Sequence, residues 1–106
     1  MNKEAIIKAI DEHIQSSGRS SYSDFYIGIT NDVERRLFGE HRVNKEGMWW
    51  IYAQADTAEI AKETEKHYLG LKMRGGTGGG AGDSDSKFVY CYVVTPDTLE
   101  STSKDA

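Results

Sequence analysis

Over the first eighteen residues, Ile6, Ala9, Ile10, His13 and Ile14 recur at helical spacing and form one stripe. Asn2 supplies a cap before this stripe and Gly18 a stop after it, which predicts an N-terminal helix. At Phe25 the period changes from 3.6 to two. Phe25, Ile27 and Ile29 fall on one face of a strand, and Tyr26, Gly28 and Thr30 on the other. Thr30, Asn31 and Asp32 can each cap a helix, so a short helix is expected from about Asp32 to Phe38. A polar stretch through His41 to Gly47 leads to a second strand, Met48 to Ala55, rich in β-formers. Asp56 and Thr57 then open a longer helix reaching about Leu71. A third alternating strand runs from Phe88 to Val94.

Each pair of strands is separated by a helix or a long loop, which points to an α+β domain. The sheet is expected to be three-stranded, mainly antiparallel and flanked by helices. One domain is expected over residues 1–106, with a glycine-rich loop at 75–86 and a flexible tail at 96–106. Six of the eight residues Gly75 to Gly82 are glycine, and Gly76 to Ala81 fits G-x-G-x-x-A. A helix precedes this run and a strand follows it, the reverse of a dinucleotide site. A flexible connector and a backbone-amide surface for phosphate both remain open.

No apolar run approaches the ~18 residues of a membrane span, and the N-terminus lacks signal-peptide architecture, so a cytoplasmic location is expected. The single Cys91 lies in an alternating strand and reads as a buried structural thiol. Net charge is −4, which disfavours a general nucleic-acid surface, but residues 35–74 carry eight Lys/Arg against six Asp/Glu while both flanks are acidic.

On a helical wheel, Glu59, Lys62, Glu63, Lys66 and His67 share a polar arc of the long helix. Glu65 instead falls between Ala61 and Leu69, on the arc that should face the sheet. A carboxylate there needs a counter-charge, because burying it alone costs several kcal/mol. A metal ion, an arginine, or Lys62 or Lys72 at the rim could supply one. On the last strand Phe88, Tyr90, Tyr92 and Val94 alternate with Val89, Cys91 and Val93. If the aliphatic sets form the core, Tyr26, Tyr90, Tyr92 and Tyr52 share the opposite face. The competing role for those aromatics is packing against the first helix.

The string Tyr26-Ile27-Gly28-Ile29-Thr30-Asn31-Asp32 with Arg36 resembles the second half of the GIY-YIG nuclease signature. Arg36 lies ten residues after Tyr26, the count at which that family carries an essential arginine; the neighbouring Arg35 does not. A histidine commonly stands four residues beyond that arginine, but here this position is Glu40 and His41 follows one residue later. Ala61 and Glu65 match the spacing of the family's metal-binding glutamate. No GIY strand precedes the match, so Tyr90 or Tyr92 is the candidate replacement for its tyrosine. The resemblance implies hydrolysis of DNA phosphodiesters with one Mg²⁺ or Mn²⁺ ion on Glu65. It implies catalytic roles for Tyr26, Arg36, His41, Glu65, Tyr90 and Tyr92, and substrate contacts at Gly28, Thr30 and Arg35. The alternative is a catalytically inactive module of the same fold that binds nucleic acid or a protein partner. A third possibility, a structural interaction domain, would use Trp49 or Trp50 as an interface anchor.

Overall fold

Two helices and three strands follow the alternation of the sequence in a computed structural model that describes residues 1–18, 21–41, 43, 50–75 and 87–94. Helix α1 spans Lys3–Ser16 and opens where the Asn2 side chain accepts from the Ala5 amide at 2.8 Å. Its Ile6, Ile10 and Ile14 are buried. A 3₁₀ turn, Tyr22–Asp24, leads into β1, Phe25–Thr30, and every residue of that strand is buried. Strand β2 is Trp50–Gln54, helix α2 is Ala58–Gly70 and strand β3 is Phe88–Val93. Thr57 caps α2 by accepting from the Ile60 amide. Met48 and Trp49 of the expected second strand, the glycine-rich run beyond Gly75 and the tail beyond Val94 lie outside the described residues.

All pairing in the sheet is antiparallel, in the order β1-β3-β2. The expected α+β class with a small antiparallel sheet and flanking helices is therefore the observed one. The last strand in sequence occupies the centre, between the two that precede it in the chain. Residues directly opposite in such a ladder share a face. The register pairs Ile27 with Cys91 and Ile29 with Val89 on one side, and Tyr26 with Tyr92 and Gly28 with Tyr90 on the other.

The aliphatic side, with Phe25, Ile27, Ile29, Val89, Cys91 and Val93, packs under α1 and α2 to form the main core. Cys91 is fully buried there, 3.9 Å from the sulfur of Met73. The helices are tied together by Tyr68 of α2, whose hydroxyl lies 2.8 Å from Asp11 Oδ1 and 3.0 Å from the Ile7 carbonyl. The helix expected to reach about Leu71 ends at Gly70, and Leu71 is exposed. Among the described residues no helix is long and apolar enough to cross a membrane.

The tyrosine side carries a second, smaller core of Tyr26, Tyr90, Tyr92, Leu37 and Val43. What covers it is not α1, as the packing alternative held, but the segment after β1. That segment, Glu34–Glu40, is not an α-helix. It is a π-helical turn, in which the His41 amide bonds to the Arg36 carbonyl five residues back. The free edge of β1 is closed by Arg74, which exchanges backbone hydrogen bonds with Phe25 and Ile27. This contact has no signature in the sequence.

Candidate active site

Everything at the site follows from the turn after β1. The Thr30 hydroxyl accepts from the Asp32 amide at 3.0 Å, and Asp32 Oδ1 accepts from the Arg35 amide at 3.1 Å. These local bonds start the π turn and lay its inner side over the tyrosine face. Thr30 is itself 5 % exposed, so its hydroxyl serves the turn.

Leu37 and Val43 press onto the tyrosines, and Arg36 and His41 arrive beside them. Arg36 Nε donates to the Tyr90 hydroxyl at 3.2 Å. His41 Nε2 lies 2.9 Å from that same hydroxyl, and His41 Nδ1 lies 2.9 Å from the hydroxyl of Tyr92. The imidazole is fully buried and bridges two phenols with its two nitrogens. Tyr26 completes the cluster by ring contact, stacking on Tyr92 at 5.1 Å and lying 4.8 Å from the His41 ring. Arg35, one residue away, is exposed.

Gly28 has a specific task. A Cβ there would stand 2.4 Å from Cζ and Oη of Tyr90. The absent side chain is the space through which the Tyr90 phenol crosses β1 to meet Arg36 and His41. The expected gap for a phosphate is thus filled from within the protein, and Gly28 is a packing requirement of the tyrosine.

Burial pushes the Tyr90 phenol well above the ordinary tyrosine range; the bond from Arg36 pulls it down, and the neighbouring Tyr26 and Glu65 push it up. Tyr90 therefore rests as a neutral phenol.

Glu65 approaches from the other layer. It sits on α2, which packs against the aliphatic side, yet its charge reaches the Tyr90 phenol. It is partly buried, and loss of hydration raises its carboxyl above the usual range. Among the described residues it forms no hydrogen bond or ion pair, so pairing with Lys62 or Lys72 is not the arrangement adopted. A shallow depression on α2 is lined by Glu59, Lys62, Glu63, Glu65 and Lys66. All five come from one helix, and none belongs to the tyrosine cluster. Among the described residues no three His, Cys, Asp or Glu side chains gather as a metal cage.

The structure thus brings Tyr26, Arg36, His41, Tyr90 and Tyr92 into one contact cluster, with Glu65 acting on it electrostatically. Sequence reasoning named His41 as a candidate but not as the hub; the one signal for that was its five-residue interval from Arg36, which becomes meaningful once the turn is known to be π-helical. No protein-family model, curated protein or solved structure matches this chain.

Proposed function

We propose that this chain is a metal-dependent endonuclease-like domain that hydrolyses DNA phosphodiester bonds. The observation that carries the reading is the meeting of Arg36 and His41 on one phenol, Tyr90. A buried neutral phenol is a poor base alone. With an imidazole nitrogen behind it, however, it can take a proton from water while passing on its own. In the proposed step the water proton moves to Tyr90 Oη and the Tyr90 proton moves to His41 Nε2. The hydroxide formed attacks phosphorus, the bond to the leaving deoxyribose oxygen breaks, and that oxygen takes a proton from solvent. Arg36 offsets the negative charge that gathers on the phosphoryl group.

Glu65 fits a single magnesium or manganese ion, being a desolvated carboxylate without a cationic partner among the described residues. Bound there, the ion would offset charge on the phosphoryl oxygens. Tyr26 positions the rings by stacking.

A specific observation favours the second reading, an inactive module binding nucleic acid or a protein partner. Tyr90, Tyr92 and His41 are at most 1 % exposed, so the Tyr90 hydroxyl is closed to substrate in this arrangement. Nicking of plasmid DNA separates the two. A nuclease requires added Mg²⁺ or Mn²⁺ and stops on chelation. Glu65→Ala abolishes its activity, Arg36→Ala lowers it by a factor of about 10² to 10³, and Arg35→Ala retains most of it. Equal losses at Arg35 and Arg36 would refute the assignment. No cleavage by the unmutated protein, with metal present, selects the inactive module.

A further inference from the structure

Tyr90 Oη has one proton to give. Its oxygen accepts from Arg36 Nε at 3.2 Å and faces His41 Nε2 at 2.9 Å. It has no other hydrogen-bond partner among the described residues. Were the His41 proton on Nε2, the Tyr90 oxygen would accept twice, and its own proton would point at no acceptor. A buried, unsatisfied donor costs about 1–3 kcal/mol. With Nε2 bare, Tyr90 accepts from Arg36 and donates to His41, which satisfies its hydroxyl; Tyr92, which then accepts from Nδ1, makes a further contact besides those to His41 and the neighbouring rings, and its own proton turns away from the imidazole. A neutral imidazole carries one N–H, which then sits on Nδ1. That nitrogen faces the Tyr92 hydroxyl at 2.9 Å. An imidazolium would instead place a second cation in the same buried cluster as Arg36, which burial penalises.

We propose that Tyr92 is a positioning residue: its hydroxyl accepts the Nδ1 proton of His41 and so holds the imidazole in the tautomer whose Nε2 is open to the Tyr90 proton. The second nitrogen of a histidine is set by the bond its first nitrogen makes. Tyr92 thus does for His41 what a carboxylate or carbonyl does for many buried histidines. The two tyrosines of β3 have different tasks. Tyr90 exchanges protons, and Tyr92 keeps the imidazole facing the right way. Two residues apart on one strand, they share a face, and His41 spans them. The hydrogen-bond geometry alone carries this assignment; only its catalytic consequence rests on the nuclease reading.

The test reads the tautomer directly in the protein without substrate. The chain has three histidines, so imidazole nitrogen spectra of ¹⁵N-histidine-labelled protein are simple to assign. At neutral pH, His41 should show a protonated, pyrrole-type Nδ1 and a bare, pyridine-type Nε2. The Nδ1 proton should exchange slowly with solvent and show a cross-relaxation peak to the ring protons of Tyr92. In Tyr92→Phe, which keeps the ring, His41 should lose this single form and gain the Nε2-protonated one. A bare Nδ1 or a doubly protonated ring in the unmutated protein overturns the proposal. So does Tyr92→Phe protein in which His41 stays wholly Nδ1-protonated. Should Tyr92→Phe fail to fold, the unmutated protein still decides, because absence of the cross-relaxation peak to Tyr92 overturns the proposal. Each result stands whether or not the chain cuts DNA.

Discussion

Arg36 and His41 are five residues apart and meet on the same oxygen, the hydroxyl of Tyr90. In an α-helix residues at that separation point about 140° apart, since each residue turns the chain by about 100°. Here the His41 amide reaches back five residues to the Arg36 carbonyl, and the wider turn restores the shared direction that i and i+4 have in an α-helix. Arg36 and His41 therefore project together because the turn between them is π-helical.

Removing the imidazole should be costly. His41→Ala leaves the Tyr92 hydroxyl without this bond and the Tyr90 proton without an acceptor, and opens a cavity in a buried cluster. The expected loss is about 3 kcal/mol, seen as a melting temperature lower by on the order of 10 °C or more. A change under about 2 °C, well below that scale, would show that the bonds contribute little.

Deleting Gly39 tests the π turn itself. The residue is exposed and no atom lies within 4 Å of where its Cβ would be. Its loss puts the imidazole four residues after Arg36, where an ordinary α turn carries it to the same place. The shortened protein should keep cooperative unfolding and stay closer to the unmutated melting temperature than His41→Ala does. A loss as large as that of His41→Ala would mean that the extra residue is itself required.

Gly28→Ala should destabilise, against the general preference for alanine over glycine within a strand. That preference is worth roughly 0.5–1 kcal/mol. A Cβ 2.4 Å from the Tyr90 ring forces the phenol off Arg36 and His41, and such overpacking costs about 1–3 kcal/mol. The clash should win. Chemical denaturation giving an equal or higher midpoint for the variant would contradict it.

Glu65 should make stability depend on pH. Burial raises its folded-state pKa above the ordinary 4.5. The folded form thus binds the proton more tightly than the unfolded chain. Its contribution is fully present below the unfolded value and is lost as pH rises through the raised folded value. The Glu65→Gln variant lacks this term. Urea midpoints of the two proteins, compared from about pH 4 to pH 8, should diverge in favour of the variant as pH rises. Parallel curves would mean that solvation of Glu65 is unchanged on folding. Added Mg²⁺ should recover part of the difference for the unmutated protein alone, if the proposed site holds the ion.

Tyr68→Phe should loosen α1 from α2. The lost hydroxyl bonds both the Ile7 carbonyl and Asp11, and removing it leaves these partly buried acceptors with fewer donors. The expected loss is about 1–2 kcal/mol with little effect on the His41 tautomer, because Tyr68 lies in the opposite core. Amide exchange should quicken in α1 first. Unchanged exchange there would rule out Tyr68 as the tie.

The elements and their faces were legible in the order of residues alone. Periods of 3.6 and two are imposed by backbone geometry, so α1, β1, α2 and β3 lie close to their expected ranges, and aliphatic and tyrosine residues separate onto opposite sides of the sheet. The residue order also placed Glu65 off the polar arc, which follows from spacing, whereas Arg36 was set apart from Arg35 only by the family resemblance. What it could not determine was which strand lies beside which, because pairing is settled by the packing of whole faces. That decision put β3 in the centre, laid Tyr90 across Gly28 and set Tyr92 against Tyr26. The covering of the tyrosine face was equally hidden. Whether a seven-residue segment winds as an α or a π turn depends on where its side chains must land, and Leu37, Val43 and the two hydroxyls that His41 bridges are brought to that place only by the tertiary fold.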